Sequence, residues 1–221
     1  MTSPNGTSLK QWPPAGVDWY YADESCCIAC ADCRDVLPHL PKVDLVLTDP
    51  PYGMYKAQWD MRLVPVSSWL PLARSLGPLA LFCGIQGIFD YPRPDWTMAW
   101  VRIASTQRNG ALRGFNNWEP ILTYGLQTLS NDVVAMPNDS DADHPTPKPL
   151  KLMRALVSRL CHGIVLDPFM GSGTTLVAAK QLGRRAIGIE IERKYCDIAI
   201  DRLRQEVLPL EAEPQPEQMT L

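Results

Sequence analysis

The sequence predicts an α/β fold, a largely parallel sheet with helices on both faces. Three observations predict it. Between polar, Pro-rich ends, strand-like and helix-like runs alternate. The strand-like runs are short and almost wholly apolar, as in a sheet covered on both sides. The stretch IVLDPFMGSGTTLVAAKQLGRRAIGIE (164–190) reads as strand, loop, helix and strand, the size of one βαβ unit. With 221 residues, 46% of them hydrophobic, the chain suits one α/β domain with a real core.

In chain order, CIACAD (27–32) is the first predicted strand and runs into the acid Asp32. DLVLT (44–48) is β-rich and apolar. A helix around 66–76 bridges it to the strand LALFCG (79–84), and MAWVRI (98–103) and PILTYG (120–125) follow. PLKLMRALVSRL (149–160) sets Leu150, Met153, Leu156, Val157 and Leu160 on one helical face. His162, just past this helix, reads as a C-terminal cap rather than a catalyst. IVLDP (164–168) and AIGIE (186–190) are strands around the helix TTLVAAKQL (174–182), which ends at Gly183, a suitable C′ residue. RKYCDIAIDRLRQEV (193–207) is the last helix.

The folded domain is expected over residues 19–207. Residues 1–18 read as a flexible N-terminal segment and 208–221, with Glu211, Glu213 and Glu217 among prolines, as a disordered acidic tail. No apolar run approaches a membrane span and the opening is not a signal peptide, so a cytoplasmic protein with no membrane partner is expected. Seven cysteines without an export signal predict reduced thiols. A net charge of −3 argues against strong general affinity for nucleic acid but leaves room for a local basic face.

Two stretches carry chemistry. In LTDPPYG (47–53) an apolar strand ends in an acid, two prolines and a tyrosine. Consecutive prolines continue neither a strand nor an ordinary helix. Asp49, Pro50, Pro51 and Tyr52 therefore form a stiff hook at a strand's C-terminal end, where open α/β sheets bind ligands. A rigid turn with Asp49 bonding nearby amides is the plainer alternative.

In DPFMGSGTT (167–175) the strand ends at Asp167, and Gly171 and Gly173 allow a tight turn and close approach of a ligand. A helix follows, so free N–H groups face the same place. The P-loop lysine is absent. A GxG turn can merely join a strand to a helix, but Glu190 ends the next strand about twenty residues on, where a Rossmann-like fold puts an acid for ribose hydroxyls. Asp32, Asp49, Asp167 and Glu190 all fall near strand ends. With no Lys or Arg clamp in the loop, a cationic sulfonium cofactor fits better than a polyphosphate.

Together, in this order, the hook and the loop resemble the β-class amino-group DNA methyltransferases, in particular small phage and bacterial members of the N4-cytosine/N6-adenine family. YYADES leading into CADCRDVLPHLPKVDLVLTDPPYG is similar to their opening. HPTPKPLKLMRALV, followed by IVLDPFMGSGTTLVAAKQLGRRAIGIEIERKYCDIAIDRL, is similar to their close. The resemblance spans roughly residues 20 to 207. It implies a Rossmann-like methyltransferase fold, circularly permuted so that the hook precedes the loop. It also implies S-adenosyl-L-methionine as cofactor and double-stranded DNA as partner, with the methyl group going to the exocyclic amine of a flipped base. Carried over by position, Phe169, Gly171, Ser172, Gly173 and Thr174 line the methionine end, Glu190 bonds the ribose and Asp32 lies near the adenine. His144, Thr146 and Lys148 close the other side. Pro147 stands where the family usually has Gln and has no side-chain hydrogen-bonding group to offer there. Asp rather than Ser at the head of the hook leans toward N6-adenine, although DPPY occurs with either product.

The chemistry suits the hook. The lone pair of an exocyclic amine is delocalised into the base ring, and an acceptor on its N–H frees that pair. The Asp49 carboxylate and the Pro50 carbonyl are such acceptors. Tyr52 offers a stacking face, worth about 1–3 kcal/mol by analogy with single-strand binders.

A target-side loop is expected at about 105–118, where STQRNGALRGFNNW carries Arg108, Arg113, Asn116 and Asn117. A solvated β-loop with a core-facing Trp is the equal alternative. Arg102 lies in a strand and reads as structural. Residues 126–143 form only a short linker, so the protein reads a short site, uses the 105–118 loop, or acts as an oligomer such as a homodimer. Whether a restriction partner exists is open. Cys27, Cys30 and Cys33 invite a zinc reading, but a structural site normally has four ligands. Buried core thiols and no metal site are expected. Two other functions remain open: a catalytically idle DNA-associated binding module, and an amino-methyltransferase acting on RNA or protein.

Overall fold

The computed structural model describes residues 11–51, 64–103, 117–127, 131–137 and 148–205, with the backbone of 108–109 and 114–115. Tyr52, Arg113, Asn116, His144 and Thr146, the side chain of Arg108, and the tail 208–221 lie outside the described residues.

The chain opens with β1 (Tyr21–Ala22) and β2 (Cys26–Cys30), then α1 (Cys33–Val36), β3 (Leu45–Thr48), α2 (Val66–Leu76) and β4 (Leu79–Phe82). Next come α3 (Gly84–Gly87), β5 (Trp96–Ile103), the two-residue strands β6 (Arg108–Asn109) and β7 (Gly114–Phe115), β8 (Trp118–Tyr124) and β9 (Val133–Pro137). The last elements are α4 (Leu150–Leu160), β10 (Val165–Asp167), α5 (Thr174–Gln181), β11 (Ala186–Glu190) and α6 (Arg193–Arg204).

Among the described residues, nine strands form one sheet in the order β1-β2-β11-β10-β3-β4-β8-β5-β9. From β2 to β4 all neighbours are parallel. β8 runs antiparallel to both β4 and β5, and β1 antiparallel to β2. The βαβ unit expected over 164–190 is β10–α5–β11, paired Val165 to Ala186. From β10 the chain moves out to β11 on one side, and from β3 to β4 on the other. The adjacent ends of β3 and β10 are therefore a topological switch point, where open α/β sheets bind ligands.

Alternation along each strand feeds two cores. Cys26, Ile28, Leu45, Leu47, Ala80 and Phe82 face α4, α5 and α6. Cys27, Ala29, Val46, Leu79 and Leu81 face α1 and α2. Helices thus cover both faces, and β3, β4 and β10 are buried along their whole length. No described helix is long and apolar enough to cross a membrane.

Several boundaries differ from expectation. β2 stops at Cys30, because Asp32 turns away to cap α1, accepting from the Arg34 amide at 2.9 Å. β5 begins at Trp96 and β8 at Trp118, since the two strands pair from Trp96–Thr123 to Val101–Trp118. The stretch expected as a loop over 105–118 holds the short β6–β7 pair. The stretch expected as a linker over 126–143 contains β9, parallel to β5 at the sheet edge. VVAMP escapes notice because only Val134 is buried and the pairing partner lies far upstream. Within the expected flexible segment 1–18, Trp12 Nε1 donates to the Asp23 carbonyl at 2.8 Å and the Arg185 guanidinium stacks over the Trp12 ring.

Candidate active site

The switch point joins the two predicted motifs. β3 ends at Thr48, and Asp49, Pro50 and Pro51 follow immediately. Pro50 is buried, Pro51 is half-buried, and the Asp49 side chain is 29% exposed. Beside them, β10 ends at Asp167. It is 3% exposed and turned inward. Its Oδ1 accepts from Thr48 Oγ1 at 2.8 Å and from the Phe169 amide at 3.1 Å, and its Oδ2 accepts from Thr175 Oγ1 at 2.5 Å. Asp167 therefore fastens the hook strand to the glycine loop, with both carboxylate oxygens bonded to protein donors. Burial pushes its carboxyl up to about 6, against the hydrogen bonds that favour the anion.

The loop is shaped by its glycines. Gly171 and Gly173 both adopt left-handed backbone, with φ 51° and 80°. A Cβ at Gly171 would meet open space, whereas one at Gly173 would stand 2.7 Å from Ala199 Cβ on α6. Gly173 thus lets α6 pack closely, and Gly171 leaves the mouth of the loop clear. Phe169 packs edge-on against Trp69 with ring centroids 4.9 Å apart. Ser172 and Thr174 are buried and bonded from behind. Arg202 Nη1 donates to the Ser172 carbonyl (2.8 Å), Ser172 Oγ (3.1 Å) and Thr174 Oγ1 (3.1 Å).

Glu190, at the end of β11, accepts from the Gly171 amide at 3.0 Å and the Glu192 amide at 2.8 Å. Burial raises its carboxyl pKa, against those amide bonds. Asp32 lies at the end of the neighbouring strand, where the Ala31 amide reaches the Glu190 carbonyl at 3.0 Å. Its carboxylate pairs with Arg34 through two bonds, 2.9 and 2.6 Å.

On the other side of the hook is an alternating run of charge. Lys148 Nζ lies 2.8 Å from Asp49 Oδ2 and 2.8 Å from Glu119 Oε1, and Glu119 Oε2 meets Arg102 Nη2 at 2.6 Å. The Lys148 ammonium also sits over the Phe82 ring, 4.7 Å from its centroid. Loss of solvent would lower the Lys148 pKa, but Asp49 and Glu119 outweigh it and hold Lys148 protonated. Burial alone would raise the Glu119 pKa, but Lys148 and Arg102 outweigh it and keep Glu119 ionised. Lys148, expected with the cofactor residues, is thus seated on the hook, and Arg102 is structural as expected.

Sequence reasoning passed over Glu119. A lone acid inside the apolar strand WEPILTY, opposite a strand carrying Arg102, was the available signal. Thr48, Thr175 and Arg202 carried no signal, because their partners are distant in sequence. Asn117 is exposed, and its carbonyl accepts from the Arg102 amide at 2.7 Å. Cys27 and Cys33 are buried in one core, Cys26 faces the other and Cys30 is half-buried. Among the described residues no group of His, Cys, Asp and Glu is placed to hold a metal ion. His162 is exposed, and the C-cap of α4 is Cys161.

A family model described as N6/N4 DNA methylase matches residues 94–201. YubD of Escherichia coli (strain K12), described as a methylase, is 33% identical over 193 residues, which is 74% of this chain and 84% of YubD. The chain belongs to the N6/N4 DNA methylase family. The type II methyltransferase M.HpaI of Haemophilus parainfluenzae is 26% identical to this methylase, over 81% of the chain and 74% of M.HpaI. The structure of M1.HpyAVI in complex with SAM is 28% identical with a TM-score of 0.61, covering 81% of the methylase and 99% of M1.HpyAVI. The cytosine-N4-specific PvuII DNA methyltransferase shares the fold, with a TM-score of 0.66 at 16% identity over 87% and 91% of the two chains. The methylase has the Rossmann-like fold of these enzymes, with hook strand β3 preceding loop strand β10 in the chain.

Proposed function

We propose that this methylase moves a methyl group from S-adenosylmethionine to the exocyclic amine of a flipped base in double-stranded DNA, with N6 of adenine favoured over N4 of cytosine. One observation carries the reading. Asp49 and the glycine loop, far apart in sequence, meet at the switch point and are tied together through Thr48 and Asp167.

The loop suits the cofactor. The space in front of Gly171 is open, Glu190 presents a carboxylate beside it, and the Arg202 guanidinium supports the loop from α6. Phe169, Gly171 and Gly173 would hold the methionine end, Glu190 the ribose hydroxyls, and Asp32 would lie near the adenine, with His144 and Thr146 closing the far side. When bound, the cofactor supplies an electrophilic methyl on a sulfonium. A carboxylate satisfied by two amides still has lone pairs for hydroxyl donors, so Glu190 can serve as a ribose acceptor.

The target amine is inaccessible within a duplex, so the base must leave the stack at a cost of a few kcal/mol. Asp49 and the Pro50 carbonyl would accept the amine N–H and so free the nitrogen lone pair. The prolines fix the direction of both acceptors, and Tyr52 would stack on the base. Asp49 acts by orientation and charge, without first removing a proton. Arg108, Arg113, Asn116 and Asn117 would meet the duplex, in the cytoplasm of a bacterial or phage-infected cell.

The test is expression in a methylation-free host, followed by single-molecule sequencing of the host DNA. A defined motif carrying N6-methyladenine is expected. N4-methylcytosine would correct the base. An unmodified genome, from protein that binds S-adenosylmethionine tightly, would overturn the reading.

A further inference from the structure

Two carboxylates share one ammonium beside the hook. Lys148 Nζ reaches Asp49 Oδ2 and Glu119 Oε1, each at 2.8 Å, and Arg102 holds the other Glu119 oxygen at 2.6 Å. The four groups come from four places: the end of β3, the residues before α4, β8 and β5. Their charges alternate and sum to zero, which makes burying the Arg102 and Glu119 side chains, 7% and 8% exposed, tolerable.

A buried Arg–Glu pair between neighbouring antiparallel strands is ordinary architecture. The second oxygen of Glu119 is what reaches beyond the fold, because it holds a cation whose other partner is the head of the hook. We propose that Glu119 is a positioning residue for methyl transfer: through Lys148 it fixes the plane in which Asp49 presents its carboxylate to the target amine. This rests on the reading of Asp49 given above.

The physical reason lies in the lysine. Its ammonium is a point charge on a flexible four-carbon stem and imposes little direction by itself. Glu119, held by Arg102, gives it a fixed seat on one side, and the Phe82 ring gives a second at 4.7 Å. Without Glu119 the ammonium would follow Asp49 instead of aiming it. It would also tighten on the carboxylate and draw electron density from the oxygen that must accept the hydrogen bond of the amine N–H.

The test uses the full chain, DNA from a methylation-free host and labelled S-adenosylmethionine. Single-turnover rate, cofactor Kd and melting temperature are read for Glu119→Gln, Glu119→Asp, Asp49→Asn and the double variant Arg102→Met/Glu119→Leu. The double variant replaces the ion pair with apolar groups, which buried pairs often tolerate without loss of stability. It is expected to melt near the wild type and to keep its cofactor Kd, while its rate falls about 10- to 100-fold. Glu119→Gln should lose rate in the same way, and Glu119→Asp should recover part of it. A rate within about threefold of wild type in the Gln or double variant overturns the proposal. So does a rate that falls only in step with melting temperature, since that assigns Glu119 to the fold alone. Asp49→Asn separates the two readings. If it is inactive while the Glu119 variants are active, only the positioning role fails. If it retains wild-type rate, the reading of Asp49 fails as well.

Discussion

Thr48 Oγ1 donates a 2.8 Å hydrogen bond to Asp167 Oδ1, across 119 residues of sequence. This bond joins the last residue of the hook strand to the last residue of the loop strand. The Thr175 hydroxyl and the Phe169 amide close on the same carboxylate. One buried acid thereby fixes the hook relative to the loop, and methyl transfer depends on that relative position.

The same carboxylate predicts a pH dependence. Its folded pKa is about 6 against an ordinary 3.8, so the native state holds a proton that the unfolded chain releases. Stability is therefore higher at acid pH and falls as pH rises from about 4 to about 6, by about 3 kcal/mol for roughly two pKa units. Above that window the loss is complete. Glu190 is raised as well and adds in the same direction. In Asp167→Asn this part of the pH profile should flatten. Denaturant melts of both proteins across the window check it, and parallel curves would count against the assignment.

The two loop glycines should respond differently. Gly173→Ala meets left-handed strain and a 2.7 Å contact with Ala199, and should lose about 2–4 kcal/mol of stability. Gly171→Ala meets only the strain, about 1–2 kcal/mol. Gly171→Asp should instead weaken cofactor binding, because its side chain fills the open space in front of the loop and competes as a second carboxylate beside Glu190. Melting curves and cofactor titrations distinguish them, and unchanged affinity in Gly171→Asp would place the cofactor elsewhere.

Asp49→Ala should keep the fold and cofactor binding, because Lys148 retains Glu119 as a partner. Methyl transfer should fall by about 100-fold or more. Single-turnover assays read the rate, and retained activity would sink the role given to Asp49.

Arg202→Met removes three hydrogen bonds that brace Ser172 and Thr174 from α6. Cofactor Kd should rise by roughly fivefold to tenfold, about 1 kcal/mol, with a smaller change in single-turnover rate at saturating cofactor. Calorimetry gives the first number and quench-flow the second.

Burial pushes the Cys26 and Cys33 thiols up to about 12, so both should resist thiol reagents in the native protein at pH 8. Cys30, only half-buried, should label first. Fast labelling of Cys33, or stoichiometric zinc in the purified protein, would reopen the metal reading.

Much of this molecule was legible in its sequence. Continuous apolar runs such as DLVLT and AIGIE mark strands buried on both faces, and the spacing of Leu150, Met153 and Leu156 marks α4. Prolines and glycines punctuate the two motifs, because their backbone restrictions and freedoms are local properties. Local chemistry therefore determined the α/β class, the βαβ unit, the hook and the glycine loop. Only the tertiary structure decided which groups meet. Sheet order set β3 beside β10 and so turned Asp167 inward onto Thr48. The antiparallel run of β8 put Glu119 next to Arg102 and under Lys148, and β9 found its partner in β5. Such pairings depend on contacts between residues far apart in the chain. Burial then decides whether a charge faces a ligand or a partner, and no local pattern encodes that outcome.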